Sequence, residues 1–350
     1  MKEFELIKKI FKPLSNKPAQ NFIKFSSLDL QDDIAIIDYN KTHDLIVSKD
    51  IFIENIHFLK QDGAEKIASK LLLTNISDIA SSGGKPLFYL LGFTKNSSCD
   101  ENFFKKFYLG LNKIQNQFKL NLIGGDTSNS KTLAFSITIF GLIKKGKALL
   151  RNSAKTGDLI FVSNNIGDAF LGLDIKQNFS QKYSKYHHEL VDKHFYPQPR
   201  IDLANQLVNQ NLSLCATDIS DGLIKDLSNI CRASKLNANI YLSQIPFSES
   251  AEKYLKDNPK FSKLDLISGG DDYELIFAIN PKNLTKISKI SQKLNIKLTC
   301  IGEFVENKSK IKNSSKKFDV FLFKNNYHNK MENFSKTNVI KILKNGYEHQ

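Results

Sequence analysis

The 350-residue sequence has no tryptophan and only two methionines. Its four cysteines, Cys99, Cys215, Cys231 and Cys300, form no C-x-x-C pair and have no histidine at metal-ligand spacing. That speaks against a thiolate metal centre and reads as free thiols in a reducing compartment. Arginine is scarce: Arg151, Arg200 and Arg232 are the only three among 50 basic residues, and the other 47 are lysines. The net charge of +14 therefore lacks the guanidinium forks and the aromatic–basic interleaving with which proteins read nucleic acid, and no nucleic-acid partner is expected. Where so lysine-rich a chain keeps an arginine, its planar fork becomes interesting in itself. No run approaches 18 consecutive apolar residues, so no membrane-spanning helix is expected. Residues 1–14 alternate Phe4, Leu6, Ile7, Ile10 and Phe11 with lysines and lack the continuous apolar core of a secretory signal, so a cytoplasmic protein is expected.

Familiar phosphate-binding loops are lacking as well. Gly141 to Ala148 matches G-x-x-x-x-G-K and then fails, because Ala148 stands where a Ser or Thr hydroxyl would hold magnesium. No G-x-G-x-x-G follows a strand, and no kinase catalytic-loop signature occurs.

What remains is ordinary globular composition, 41% hydrophobic and 25% charged, long enough for one large or two ordinary domains. Apolar periodicity predicts strands over 34–38, 45–48, 87–93, 120–123, 133–143, 158–163, 214–217, 239–242 and 299–303. Helical spacing covers 64–82, 102–118, 168–173, 199–209, 223–234 and 284–294. Strands and helices mixed throughout indicate an α/β or α+β protein of two domains. We expect an N-terminal domain over 1–147, a C-terminal domain over 148–305 and an extension over 306–350 that closes the substrate site.

The informative residues are aspartates at turns. Asp32-Asp33 precede a strand, Asp50 follows one, and Asp78 lies on a helix running into Gly83-Gly84. Asp126 follows Gly124-Gly125, Asp218 and Asp221 frame a strand end, and Asp271-Asp272 follow Gly269-Gly270. Taken singly, each such residue reads as a cap or turn former. Together, carboxylates without histidine or cysteine neighbours are hard oxygen donors that suit magnesium, and the glycines let backbone approach phosphate closely. The pattern points to magnesium–nucleotide chemistry.

In chain order stand Asp33, Ser48-Lys49-Asp50, His57-Phe58, Asn75-Ile76-Ser77-Asp78-Ile79-Ala80, Gly124-Gly125-Asp126-Thr127, Asp218-Ile219-Ser220-Asp221-Gly222-Leu223 and Ser268-Gly269-Gly270-Asp271-Asp272-Tyr273-Glu274-Leu275. With Glu3 to Ile7 at one end and Gly346 to His349 at the other, this set resembles the thiamine-monophosphate kinases. Their superfamily also holds aminoimidazole ribonucleotide synthetase and selenophosphate synthetase. The resemblance implies ATP-dependent phosphorylation of thiamine monophosphate to thiamine diphosphate by direct transfer, with several magnesium ions. By motif position it implies Asp33, Ser48, Lys49 (through its carbonyl), Asp50, Asp78, Asp126, Asp218 and Asp221 as magnesium ligands. ATP would meet Tyr108, Gly125, Asp126, Arg151 and Ser220, and the substrate would meet His57, Asp271 and, near the C-terminus, Lys344. It also implies a two-domain fold of the aminoimidazole ribonucleotide synthetase type whose N-terminal sheet pairs with a second copy in a homodimer. The chain departs from the family pattern at Gln31 and Asn55 (usually Gly), Lys49 (Thr), Asp271 (Glu) and Lys344 (an aromatic).

That chemistry suits the residues. Phosphoryl transfer between two polyanions needs alignment and charge cancellation more than covalent help. A substrate phosphate oxygen is already nucleophilic near neutral pH, so no general base is assigned. Rival readings are another ATP-dependent enzyme of the superfamily and a non-catalytic binder of thiamine phosphates. The first of these loses ground because the earliest cysteine is Cys99, whereas selenophosphate synthetases carry a reactive one near the start. The remaining polar candidates have plainer readings: His187, His188 and His194 as solvated side chains, Asp168 as a helix cap, and Arg200 as a helix-start residue or an ion-pair partner.

Overall fold

The computed structural model describes residues 8–9, 12, 25–97, 99–178, 183–307, 319–324 and 339–340; Lys344 and the terminal motifs lie outside them. Two compact units emerge. The first holds the described residues up to Ala148 together with Phe195–Ala204, and the second holds Leu149–His194 and the described residues from Asn205 onward.

In the first unit, strands β1 (Phe25–Ser26), β2 (Ala35–Asp38), β3 (His43–Ile53), β4 (Lys85–Lys95), β5 (Asn121–Asn129) and β6 (Ala134–Lys144) make one sheet in the order β1-β2-β3-β6-β4-β5. Pairing is antiparallel except between β4 and β5. Strand β3 buries Asp44, Ile46, Ser48 and Phe52 on one side and leaves Leu45, Val47, Lys49 and Ile51 partly or fully open on the other, the period-2 signature of a sheet covered on one face. Helix α1 (Ala64–Ser81) packs on β3 and β6 and also on helix α2 (Glu101–Phe118). Because it is covered from both directions, α1 is buried almost all round, through Leu71, Leu72, Leu73, Ile76 and Ile79 and the small Ala68, Ser69 and Ser77. The two helices come close at Gly110, where a Cβ would stand 2.2 Å from the Glu65 carbonyl oxygen.

Two expectations change here. The strand expected over 45–48 does not stop there: β3 runs unbroken from His43 to Ile53 along β6, with Lys49 opposite Thr138. The Gly124-Gly125 pair is not a turn after a strand but lies inside β5, which continues to Asn129. Pairing with β4 decides this, since Gly125 sits opposite Leu91 where a Cβ would be 1.9 Å from the Leu91 oxygen.

The second unit contains β7 (Leu159–Ser163), α3 (Asp168–Asn178), α4 (Lys185–Phe195) up to His194, α5 (Ile201–Asn209) from Asn205 onward, β8 (Ala216–Asp218), α6 (Leu223–Ser234), β9 (Asn237–Tyr241), α7 (Glu249–Asp257), α8 (Lys263–Ser268), β10 (Leu275–Ile279), α9 (Leu284–Leu294), β11 (Leu298–Val305), β12 (Val320–Phe323) and β13 (Val339–Ile340). Its sheet has the order β13-β12-β9-β11-β7-β10-β8. The core gathers Ile160 and Val162 of β7, Leu223, Leu227, Ile230 and Cys231 of α6, and Ile276 and Ala278 of β10. Helices α4 and α7 were not expected, nor were strands beyond residue 303. His187 and His194 are buried, not solvated; only His188 is exposed. The reason is helical periodicity, as positions 187, 190, 191 and 194 share one stripe of α4 with Leu190 and Val191. Among the described residues no helix is long and apolar enough to cross a membrane.

Candidate active site

Within the first unit, β3 and α1 bring Ser48 and Asp78 together: the buried Ser48 Oγ donates to Asp78 Oδ2 at 2.7 Å. Asp50, two residues on, shares that face of β3, half-buried. Lys49 points the other way, its Nζ donating to Ser136 Oγ at 2.7 Å and Thr138 Oγ1 at 3.3 Å on β6. The ammonium is thus turned away from the carboxylates of the opposite face. Asp33 is half-buried in the bend before β2, where its amide donates to Asp32 Oδ1 at 2.9 Å. His57 is half-buried and stacks on Phe52 with ring centroids 5.5 Å apart. Its Nδ1 accepts the Ile53 amide at 3.0 Å, so in the neutral ring the proton sits on Nε2. Asn55 adopts a left-handed φ of 66° in the same loop. Tyr108 on α2 and Asp126 on β5 are both exposed, and Asp126 Oδ1 accepts the Thr127 amide at 2.8 Å.

In the second unit two loops far apart in sequence are zipped together. The end of β8 carries Asp218, the turn after it carries Ser220 and Asp221, and the segment before β10 carries Asp271 to Glu274. The Asp271 amide donates to the Ser220 oxygen at 2.8 Å, Tyr273 to Ile219, and Ile219 back to Glu274, each also at 2.8 Å. Glycine is needed for this approach: a Cβ on Gly270 would stand 2.3 Å from the Ser220 oxygen, and one on Gly222 2.8 Å from that of Gly269. Arg151 is held alongside. Its Nε and Nη2 reach Thr217 Oγ1 at 3.2 and 3.1 Å, and its carbonyl accepts Ser234 Oγ at 2.7 Å.

Negative charge accumulates at this turn. Asp221 pairs with Lys225 at 2.8 Å, and its amide donates to Asp226 Oδ2 at 2.9 Å. Burial drives the Asp226 carboxyl well above the usual carboxylate range, the Asp221 and Asp218 charges push it further, and Arg151 opposes them. Hard oxygen donors under mutual repulsion fit a divalent cation such as magnesium. Asp218, Asp221 and Ser220 could hold one here, and Asp33, Ser48, Asp50 and Asp78 offer the same donor type in the first unit.

Comparison with known proteins agrees with this picture. Residues 31–143 match the family model for the AIR synthase related protein N-terminal domain, and residues 155–312 the model for the corresponding C-terminal domain. A curated thiamine-monophosphate kinase of Buchnera aphidicola subsp. Schizaphis graminum is 41% identical over 303 residues, covering 86% of this chain and 90% of that protein. The chain belongs to the thiamine-monophosphate kinase family. Among solved structures, a family member from Stenotrophomonas maltophilia K279a superposes with a TM-score of 0.72 at 28% identity, covering 91% of this chain and 96% of that one. Another, described as AaThiL complexed with AMPPCP and TMP, gives 0.78 at 25% identity over 91% and 93% of the two chains.

For this family member, sequence reasoning passed over several residues at the second-unit turn. Asp226 is one; its signal was its place five residues after Asp221, one helical turn into α6. Thr217, which seats Arg151, had no signal beyond being next to Asp218. Arg232, exposed in the last turn of α6, has its proton affinity lowered by partial desolvation of the guanidinium and by the Arg151 charge. Nor is Asp168 the cap of its own helix. The Gly167 and Ala169 amides donate instead to the Asp272 carboxylate, at 2.7 and 3.3 Å, while Asp168 Oδ1 accepts Ser248 Oγ at 2.6 Å. Arg200 is buried, its carbonyl accepting the Ala204 amide at 2.9 Å as α5 begins, in keeping with a helix-start position.

Proposed function

We propose that this chain works as its named relatives do: it phosphorylates thiamine monophosphate to thiamine diphosphate with ATP, by direct transfer. The observation that best supports the reading is the 2.8 Å bond from Asp271 to Ser220. It joins a residue assigned to the substrate with one assigned to the nucleotide, and transfer between two bound phosphates requires that proximity. We assign Asp33, Ser48, the Lys49 carbonyl, Asp50, Asp78, Asp126, Asp218 and Asp221 to magnesium. When bound, magnesium neutralises the charge of the two approaching phosphates. Tyr108, Gly125, Asp126, Arg151 and Ser220 are assigned to ATP, and His57 and Asp271 to thiamine monophosphate.

Each residue has a physical task. Arg151, braced by Thr217, presents a planar fork to phosphate, which a lysine could not do bidentately. Gly125 is assigned through its backbone, since Leu91 of β4 fills the space that a side chain would take. His57, accepting at Nδ1, offers its Nε2 proton to the substrate. The test is formation of thiamine diphosphate from thiamine monophosphate, measured with and without ATP and with and without magnesium. Product is expected only with both present. Folded protein that binds ATP yet forms no thiamine diphosphate across a magnesium titration would overturn the assignment.

A homodimer through the first sheet is part of the same reading. The face of β3 away from α1 exposes Ile51 by 51%, and the edge strand β5 exposes Leu122 by 47% and Ile123 by 56%. Apolar surface of this kind on an edge strand is normally covered by a partner. Light scattering at micromolar concentration is expected to give twice the protomer mass, and a protomer mass would exclude the dimer.

A further inference from the structure

Lys225 is the third residue of α6 and is only 8% exposed. Both facts run against the usual placement of a lysine. The first turn of a helix presents unsatisfied N–H groups and favours negative charge, and a lysine is rarely buried without a partner. A partner stands one turn back. Nζ lies 2.8 Å from Oδ2 of Asp221, whose side chain is 30% exposed.

Asp221 is also held in ways that do not involve the lysine. Its amide donates to Oδ2 of the buried Asp226 at 2.9 Å. Gly222 follows at φ 116°, packed so closely that a Cβ would lie 2.8 Å from the oxygens of both Ser268 and Gly269. The backbone that carries the carboxylate is thus fixed by Asp226 and by the packing of Gly222. What the ammonium adds is charge. That charge has a use, because the Asp221 and Asp218 carboxylates both crowd Asp226.

We propose that Lys225 is a resident counter-ion: it neutralises Asp221 in the metal-free protein and competes with magnesium for that carboxylate. The inference rests on the assignment of Asp221 to magnesium. A divalent ion drawn to Asp221 meets an ammonium already on Oδ2. Either that contact is given up or the ion sits close to a like charge, and each lowers affinity. The lysine therefore sets stability without metal against affinity for it.

The test is metal binding by the full-length, metal-free protein, with Mn2+ followed by electron paramagnetic resonance and Mg2+ by calorimetry, and the melting temperature in chelator. K225M keeps the apolar stem and removes the charge. It is expected to bind both ions about five- to tenfold more tightly than the parent and to melt about 2–4 °C earlier in chelator. K225Q, which can still donate to Asp221, is expected to shift affinity the same way, and K225R to stay within about twofold of the parent. D221N is expected to bind metal more weakly, and K225M added to D221N to recover less than about twofold. If D221N weakens binding while K225M and K225Q bind no more tightly than the parent, Lys225 is a structural ion pair. The proposal then falls, although Asp221 remains a ligand. If D221N binds as tightly as the parent, the assignment of Asp221 fails and the proposal with it. Lower stability in K225M without a gain in affinity counts against the proposal.

Discussion

Asp218→Asn is expected to lower kcat for thiamine diphosphate formation by at least about a thousandfold, the scale on which a key electrostatic group is lost, while the metal-free protein melts no earlier than the parent. The two halves of this expectation have one cause. Asp218 ends β8, buried, and its backbone pairs with Leu275 of β10, a contact the substitution leaves intact. Its charge and that of Asp221 both act to raise the Asp226 carboxyl above the usual range. Without a bound cation, this crowding opposes folding, so neutralising one member relieves the metal-free state. On the proposed assignment, the same charge is what holds magnesium between the two polyanionic ligands. Steady-state kinetics at saturating ATP and magnesium, paired with calorimetry in a chelator, decide the matter. Activity retained within tenfold of the parent would remove Asp218 from the magnesium set.

Replacing Asp272 should have its largest effect on stability rather than chemistry. Its buried carboxylate accepts from the Gly167 and Ala169 amides and thereby caps α3 from about a hundred residues downstream. Asp272→Ala leaves two buried N–H groups without their acceptor, a loss of about 3–5 kcal/mol. Asp272→Asn keeps the shape and one acceptor oxygen and should cost about 1–2 kcal/mol. The pH dependence has a definite sign. Burial pushes the Asp272 carboxyl well above its ordinary value, with Asp168 and Glu274 adding to the effect and the two amides opposing it. Burial raises Asp168 as well, with Glu274 and Glu189 adding to it and Ser248 and Lys193 opposing. A carboxyl whose folded-state value exceeds its unfolded one contributes stability that is complete below about pH 4, the unfolded value. That contribution is lost as pH rises through the folded value. The melting temperature should therefore carry a component that declines from pH 4 towards neutrality. Asparagine mimics the uncharged acid, so Asp272→Asn should cost less at pH 7 than at pH 4. A cost that grows with pH would mean the folded carboxyl titrates below its ordinary value.

The helices were largely legible from apolar spacing. Residues 223–234 and 284–294 coincide with α6 and α9, and 64–82 overshoots α1 by one residue. These helices bury a continuous stripe, so their period shows in composition. Helix α4 was not legible, because its buried stripe is completed by His187 and His194, residues that read as polar. Strand β5 was cut short because its glycines signal a turn to any local reading, and only the alignment with Leu91 on β4 shows that glycine is what lets the strand continue.

The sequence by itself determined the two-domain α/β class, the family and the reaction, since these rest on short motifs whose residue types and order need no coordinates. Tertiary structure alone decided how the motifs work together in the second unit. It zips the turn at 218–222 to the turn at 269–274, seats Arg151 on Thr217, sets His194 beside Asp271 and caps α3 with Asp272. The physical reason is distance along the chain. Periodicity and turn chemistry act over a few residues, whereas these contacts join positions about fifty to one hundred residues apart and form only when a shared core brings them together.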